Sequence, residues 1–363
     1  MNQGGALVHV YTDGTVLVSH GGTEMGQGLH TKVCQIAAQA FGIPISKVHI
    51  DESATDKVAN PQPTAASMST DLYGMATLDA CRQILGRLKP VREEMGNSAS
   101  FKDIAKAAYF RSIDLSAHGF FSLPGNRCGY NWDSIVPENF TGPDNSFRGQ
   151  AFNYFTQGVA VSEVEIDVLT GDFKTLRSDV LVDVGSSINP AIDIGQIEGA
   201  FIQGMGWSTT EEMVYGNESN HSWVKPYGRL HTQGPGTYKI PGFNDTPEEF
   251  NVELMQGVSN PFAVHSSKAV GEPPFFLGAS VFFAIEDAIH AARMEIRKND
   301  GDNNIDVDNF CLRLPATSER IRMLCADNIA AESIHMESGQ SHEGVDSSSK
   351  MKDILKFQPS GCF

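Results

Sequence analysis

Glu272 sits in Lys268-Ala-Val-Gly-Glu-Pro-Pro274, the run of the sequence with the most chemical potential. Gly271 permits an unusual backbone conformation or the close approach of a ligand. Pro273 and Pro274 stiffen the chain just after the carboxylate. Val270 and Phe275-Phe276 bracket it with apolar residues, so one reading is a buried carboxyl of raised pKa, suited to general-base work. The other is a solvated glutamate at a helix start, favoured by the helix dipole.

Three further segments could hold a ligand. Gly21 to Gly28 places glycines just before a helix, where backbone N–H groups favour an anion such as a phosphate, and Gln27 adds an amide donor and acceptor. The same string could be a tight turn into a helix, and it matches neither the dinucleotide nor the phosphate-loop pattern. Pro63-Thr-Ala-Ala-Ser67, followed by Ser69 and Asp71, carries side chains small enough to admit a large ligand to the backbone. On spacing alone, plain N-capping by Ser69 or Asp71 is the favoured reading there. Gln196, in Asp193-Ile-Gly-Gln196, either caps a core helix or reaches a ligand; Gly195, Gly199, Gly204 and Gly206 predict close packing of that helix on another backbone.

Other chemistries lack support. There is no G-x-S-x-G elbow and no His-Glu-x-x-His. Cys34, Cys81, Cys128, Cys311, Cys325 and Cys362 form no C-x-x-C pair, so no local iron–sulfur or zinc spacing is present. With 44 acidic against 27 basic residues the formal charge is −17, which argues against nucleic-acid or anionic-membrane binding. The most apolar run, Phe275 to Ile285, reads as too short to cross a bilayer. No signal peptide opens the chain, and a reducing intracellular setting is expected.

Several elements must position these residues. Ala6 to Thr12 and Thr15 to His20 alternate around Asp13-Gly14 and predict a hairpin. Helices are expected at Leu29–Phe41, about Thr70–Leu88 and Phe101–Phe110, with strands at Val48–Asp51 and Ile113–Ser122. Pro124–Gln150 reads as a long polar connection. A second hairpin, Gln157–Val168 and Phe173–Val184, turns at Thr170-Gly171-Asp172. Asn189-Pro190 caps a helix reaching Trp207, and short strands and loops fill 208–268. A long buried helix is expected from Pro274 to Lys298, an acidic loop at Asp300–Asp308, and a helix at Pro315–Ala326. The fold class is α+β: two-lobed layered mixed sheets and helices, with sub-lobes at about 1–96 and 151–298, a connection at 97–150, and a disordered tail over 331–363. The abrupt strand start predicts that Met1 is an internal methionine of a longer protein.

Taken in order, four motifs resemble the xanthine dehydrogenase/xanthine oxidase family of molybdenum hydroxylases: His20-Gly-Gly-Thr-Glu-Met-Gly-Gln-Gly-Leu-His-Thr-Lys32, Pro63-Thr-Ala-Ala-Ser67, Asn189-Pro-Ala-Ile-Asp-Ile-Gly-Gln-Ile-Glu-Gly-Ala-Phe201 and Ser267-Lys-Ala-Val-Gly-Glu-Pro-Pro274. The similarity runs over about Asn2 to Asp327. Aldehyde oxidases usually carry Gly-Glu-Ser-Gly where this chain has Gly271-Glu-Pro-Pro274, which favours the xanthine dehydrogenase branch over an aldehyde oxidase-like hydroxylase. The resemblance implies the fold of the second molybdopterin-binding domain, over 1–330. It also implies that Gly26, Gln27, Thr64, Ala65, Ala66, Ser67, Ser69, Gln196, Lys268, Ala269 and Val270 hold the molybdenum-molybdopterin cofactor. The Ala66 backbone would lie beside molybdenum, the metal being held by the pterin dithiolene and by no side chain. Glu272 matches the catalytic base in the hydroxylation of hypoxanthine and xanthine to urate, taking the proton from the hydroxide that attacks the purine.

The resemblance also implies what is missing. Complete members carry two 2Fe-2S clusters, an FAD domain and a first molybdenum lobe ahead of the point where this chain starts. They are typically homodimers, and electrons leave to NAD or oxygen at the flavin. The expectation is therefore a carboxy-terminal lobe, cytoplasmic or peroxisomal, whose isolated form is a catalytically incomplete binding or assembly fragment.

Overall fold

The computed structural model describes residues 3–96, 98–123, 152–300, 307, 309–327 and 329–330. The expected connection over Pro124–Gln150, the tail over 331–363 and most of the acidic loop at Asp300–Asp308 lie outside them. Two compact units emerge, and they interleave along the chain: Met1–Gln157 with Asp183–Gln196 and Leu254–Pro273, then Gly158–Val182 with Ile197–Glu253 and Pro274–Phe363. The architecture is α+β, as the patterning indicates.

In the first unit, β1 (Gln3–Val10) and β2 (Val16–His20) form the expected hairpin, with Ala6 opposite His20 and Val10 opposite Val16. Asp13 closes the turn by accepting from the Thr15 N–H at 2.9 Å, and Gly14 supplies a φ of 82°. Strand β3 (Val48–Ile50) pairs parallel with β2, and β4 (Ser116–Ser122) pairs antiparallel with β1, giving the order β3-β2-β1-β4. The inward residues of the alternating strands, among them Val8 and Val18, meet α1 (Leu29–Phe41), α2 (Ser69–Met95) and α3 (Phe101–Phe110) in one core with Leu29, Val33, Tyr73, Ile84 and Ile104. Gly42, in the left-handed region, ends α1.

Two boundaries in this unit differ from expectation. Helix α2 continues past Leu88 and through Pro90 to Met95, because Val91 is buried in the core and holds the last turns. Strand β4 starts at Ser116 because the Ile113 N–H is spent closing α3 on the Ala108 carbonyl at 3.0 Å.

The second unit holds the other hairpin, β5 (Gly158–Ile166) and β6 (Phe173–Val182), turning at Gly171 with φ 79°. Strand β7 (Glu249–Leu254) completes the order β5-β6-β7. Helix α4 (Pro190–Thr209) belongs to the first unit up to Gln196 and to the second thereafter. Helices α5 (Ala279–Asp300) and α6 (Ser318–Cys325) follow.

The long helix expected from Pro274 is instead a 3₁₀ turn, Pro273–Gly278, leading into α5. Gly278 packs against the backbone of Phe201 and Met205, where a Cβ would come within 2.5 Å of the Phe201 carbonyl oxygen. Nor is the helix buried throughout: Val281, Ile285 and Ile289 face the unit's core while Phe276 and Phe283 are exposed. Pro273–Lys298 is long and apolar enough to cross a membrane by length and composition, longer than the run read from sequence; within the unit, α5 packs on β5. Of the glycines on α4, Gly204 lies against the Phe275 backbone as expected, whereas Gly195 and Gly199 face open space.

Candidate active site

The glycine loop ahead of α1 is arranged differently from the anion cradle its sequence suggests. Glu24 turns back and accepts hydrogen bonds from Gly26 N (2.8 Å), Gly28 N (2.9 Å) and His30 N (2.9 Å). The loop's own carboxylate therefore occupies the helix N-terminus. Burial acts to raise the Glu24 pKa, but the His30, Gly28 and Gly26 N–H donors together hold it below the usual range. Gln27 closes the same loop: its Oε1 accepts from Met25 N at 2.6 Å and its Nε2 donates to the Thr23 carbonyl at 2.9 Å. Gly26, with φ 100°, has no atom within 4 Å of the place a Cβ would take, so this backbone stays open to a ligand.

Behind the loop, His20 is fully buried against Tyr73. Its Nδ1 accepts from Gly22 N at 3.1 Å, so Nε2 carries the proton and donates to His30 Nδ1 at 2.9 Å. Burial pushes the His20 pKa down to about 4.

A cavity of about 250 Å³ opens in the first unit. Segments far apart in sequence line it: Gln27 from the glycine loop, Thr64 to Ser67 and Ser69 to Asp71 at the start of α2, Gln196 from α4, and Ser267 to Glu272. Ten of the eleven expected cofactor residues and Glu272 thus share one cavity; Gly26 stands beside it in the Met25–Gln27 loop rather than in its lining.

The helix caps differ from those the sequence offered. Asn189, not Gln196, caps α4, accepting from Ile192 N at 3.2 Å, so Gln196 is left to face the cavity. Neither Ser69 nor Asp71 caps α2: the cap position is Met68, which makes no side-chain cap bond. The Ser69, Thr70 and Asp71 N–H groups have no hydrogen-bond partner among the described residues.

Ala66 and Ser67 both adopt positive φ, 56° and 52°, a strained conformation for non-glycine residues. It brings Ser67 Oγ to 2.9 Å from Glu272 N, from which it accepts, and to 3.4 Å from Glu272 Oε2. Gly271 lets the backbone pass close to Ser67, since a Cβ would stand 2.8 Å from Ser67 Oγ and displace it; its φ is not left-handed. Glu272 itself is exposed, which corrects the buried carboxyl read from its apolar neighbours. Phe276, in the 3₁₀ turn at Pro273–Gly278, is itself 79% exposed.

Buried charge surrounds the cavity. Lys32 pairs with Asp193, both nearly inaccessible, and Ser187 Oγ donates to the second Asp193 oxygen at 2.5 Å. Lys268 pairs with Asp183 and also donates to the Phe155 carbonyl at 2.9 Å. Asp71 lies 2.5 Å from the Tyr154 hydroxyl. Burial pushes the Asp71 pKa up to about 7, against the lowering effects of the Tyr154 hydroxyl and the Lys32 charge. Burial and the adjacent carboxylate push Tyr154 far above the usual phenol range.

Lys32, Tyr154 and Glu24 fall outside the site residues expected from the sequence. Lys32 had a signal, since it falls on the buried stripe of α1 between Leu29 and Ile36, where a lysine demands a carboxylate. Tyr154 had none. Among the described residues no group of three or more His, Cys, Asp or Glu side chains could hold a metal ion.

The fold is shared with solved structures of low sequence identity: quinoline 2-oxidoreductase from Pseudomonas putida 86 superposes with a TM-score of 0.69 at 22% identity, covering 90% of this chain and 38% of that one. A family model described as "Molybdopterin cofactor-binding domain" matches residues 1–247, and the chain belongs to that family. It is 57% identical over 329 residues to a xanthine dehydrogenase of Oryza sativa subsp. japonica, covering 91% of this chain and 22% of the relative. A xanthine dehydrogenase of Dictyostelium discoideum is 56% identical over 333 residues, covering 92% and 22% respectively. The resemblance carried by the four motifs thus extends over nearly the whole chain, which spans less than a quarter of the length of these relatives.

Proposed function

We propose that this chain is the second cofactor-holding lobe of a xanthine dehydrogenase-like molybdenum hydroxylase, acting on hypoxanthine and xanthine with Glu272 as general base. The observation that carries this is the convergence of the four motifs on one cavity with Glu272 at its lining. Residues 1–330 would form this domain.

The residues present fit a molybdopterin. The open Gly26 backbone, the small Thr64–Ser67 side chains in their strained turn, and the amide faces of Gln27 and Gln196 suit a flat, polar pterin. Its phosphate fits the uncapped start of α2, where the Ser69, Thr70 and Asp71 N–H groups are unpaired and the dipole of a 27-residue helix favours an anion. That moves the anion site from the glycine loop, where Glu24 already provides the negative charge. Lys268 to Val270 line the same cavity. When bound, the cofactor supplies a metal centre that accepts two electrons from the substrate.

The chain's own residues prepare that reaction. Ser67 fixes Glu272 by accepting from its N–H and holding Oε2, which leaves Oε1 to take the proton from the attacking hydroxyl. Gly271 lets the two segments meet closely enough for this. The four described cysteines are free thiols, which suits a reducing setting.

In the complete polypeptide, Glu272→Gln is expected to cut xanthine turnover by roughly 10²–10⁴-fold while molybdenum content stays at the wild-type level. Near-normal turnover by that variant removes Glu272 from the role. The coverage of under a quarter of each relative favours a second statement: the isolated chain is catalytically incomplete. Purified 363-residue chain should show no xanthine turnover, and measurable turnover would contradict this.

A further inference from the structure

The Tyr154 hydroxyl lies 2.5 Å from Asp71 Oδ2 and 2.9 Å from Ala269 N. An amide N–H can only donate, so the phenolic oxygen accepts from Ala269 and its own proton goes to the carboxylate. The relay thus runs one way, from Ala269 N–H through Tyr154 O–H to Asp71. Both ends line the cavity. Asp71 is 4% exposed, and the nearby ammonium of Lys32 is already paired with Asp193, so Tyr154 supplies the hydrogen bond to this carboxylate.

The consequence falls on the cavity wall. Lys268 N donates to the Val184 carbonyl at 2.9 Å, and Glu272 N donates to Ser67 Oγ at 2.9 Å. Between these fixed points, the Val270 and Gly271 N–H groups have no hydrogen-bond partner among the described residues. Two adjacent amides without a protein acceptor in a cavity wall are free to donate to a ligand. Their placement depends on the Ala269 anchor just before them.

We propose that Tyr154 is a positioning residue: through Asp71 and Ala269 it holds the 268–271 wall with the Val270 and Gly271 amides presented to the cofactor, and so controls how long the cofactor stays. This rests on the cofactor reading above, and the test separates the two. The variants Tyr154→Phe, Asp71→Ala and Asp71→Asn are made in the complete polypeptide. Release of molybdenum and of oxidised, fluorescent pterin is followed over time, and amide exchange of the 267–273 peptide is measured in cofactor-free protein.

Tyr154→Phe should release cofactor on the order of tenfold faster, the equivalent of one lost hydrogen bond. Asp71→Ala should match it, and the double variant should be no faster than either single one. Asp71→Asn still accepts the phenolic proton and should remain within about twofold of wild type. The 267–273 peptide should exchange faster in Tyr154→Phe, with the β1 peptide unchanged. Unchanged exchange of 267–273 overturns the positioning role whether or not cofactor is bound, as does a full loss of retention in Asp71→Asn. Wild-type protein that carries neither molybdenum nor pterin overturns the cofactor reading instead, while the exchange result still decides the role of Tyr154.

Discussion

Glu24 does for α1 what a bound anion would do in a phosphate-binding loop, with three backbone donors on one carboxylate. Replacing it by alanine should destabilise the chain by about 1–2 kcal/mol, after allowance for its partial exposure, read as a lower urea midpoint. Its folded pKa lies below the ordinary 4.5, so this contribution is complete above that value and is lost as pH falls through the lower folded one. The glycine spacing made the turn into α1 legible. It could not say which acceptor would take the amides, because that depends on a side chain folding back over its own loop. Glu272 shows the complementary limit: its neighbours left a buried and a solvated carboxylate open, and its exposure followed only from the fold around the 3₁₀ turn.

Between elements, the close approach of β4 to α2 depends on Gly119. A Cβ there would lie 2.0 Å from the Ala76 carbonyl oxygen and 2.6 Å from Ala80 N, both helix backbone that cannot give way. Gly119→Ala should therefore cost about 3 kcal/mol or more, measured by thermal or chemical unfolding. An equivalent change at Gly86, which has open space around it, should be tolerated. Periodicity made the hairpins and α1 to α3 visible. Their ends were set by other things: buried Val91 carries α2 through Pro90, and contact with the α4 backbone at Gly278 delays the start of α5.

For the molecule as a whole, two buried groups give opposite pH limbs. His20 resists protonation when folded, so stability falls as pH drops from 6.5 to about 4. Asp71 resists ionisation when folded, so stability falls as pH rises from 3.8 to about 7. The limbs overlap and largely cancel, and the wild-type urea midpoint should vary little over that range. Asp71→Asn removes one limb, and its midpoint should then climb from pH 4 to 6.5 by an amount worth on the order of a few kcal/mol. A flat profile in that variant would falsify the burial argument for His20.

The amino-acid sequence alone determined the family, the order of the elements and the four segments that meet at the cavity. The element order is written in periodicity and turn residues, and the family and the four segments in the resemblance their motifs carry. Only the tertiary structure decided that the glycine loop is filled by Glu24, that the start of α2 is uncapped and open, and that Tyr154 joins Asp71 to the wall. Buried donors and acceptors choose partners by distance in space, and Tyr154 and Asp71 are 83 residues apart in the chain, Lys32 and Asp193 161. No spacing rule along the sequence carries pairings of that range.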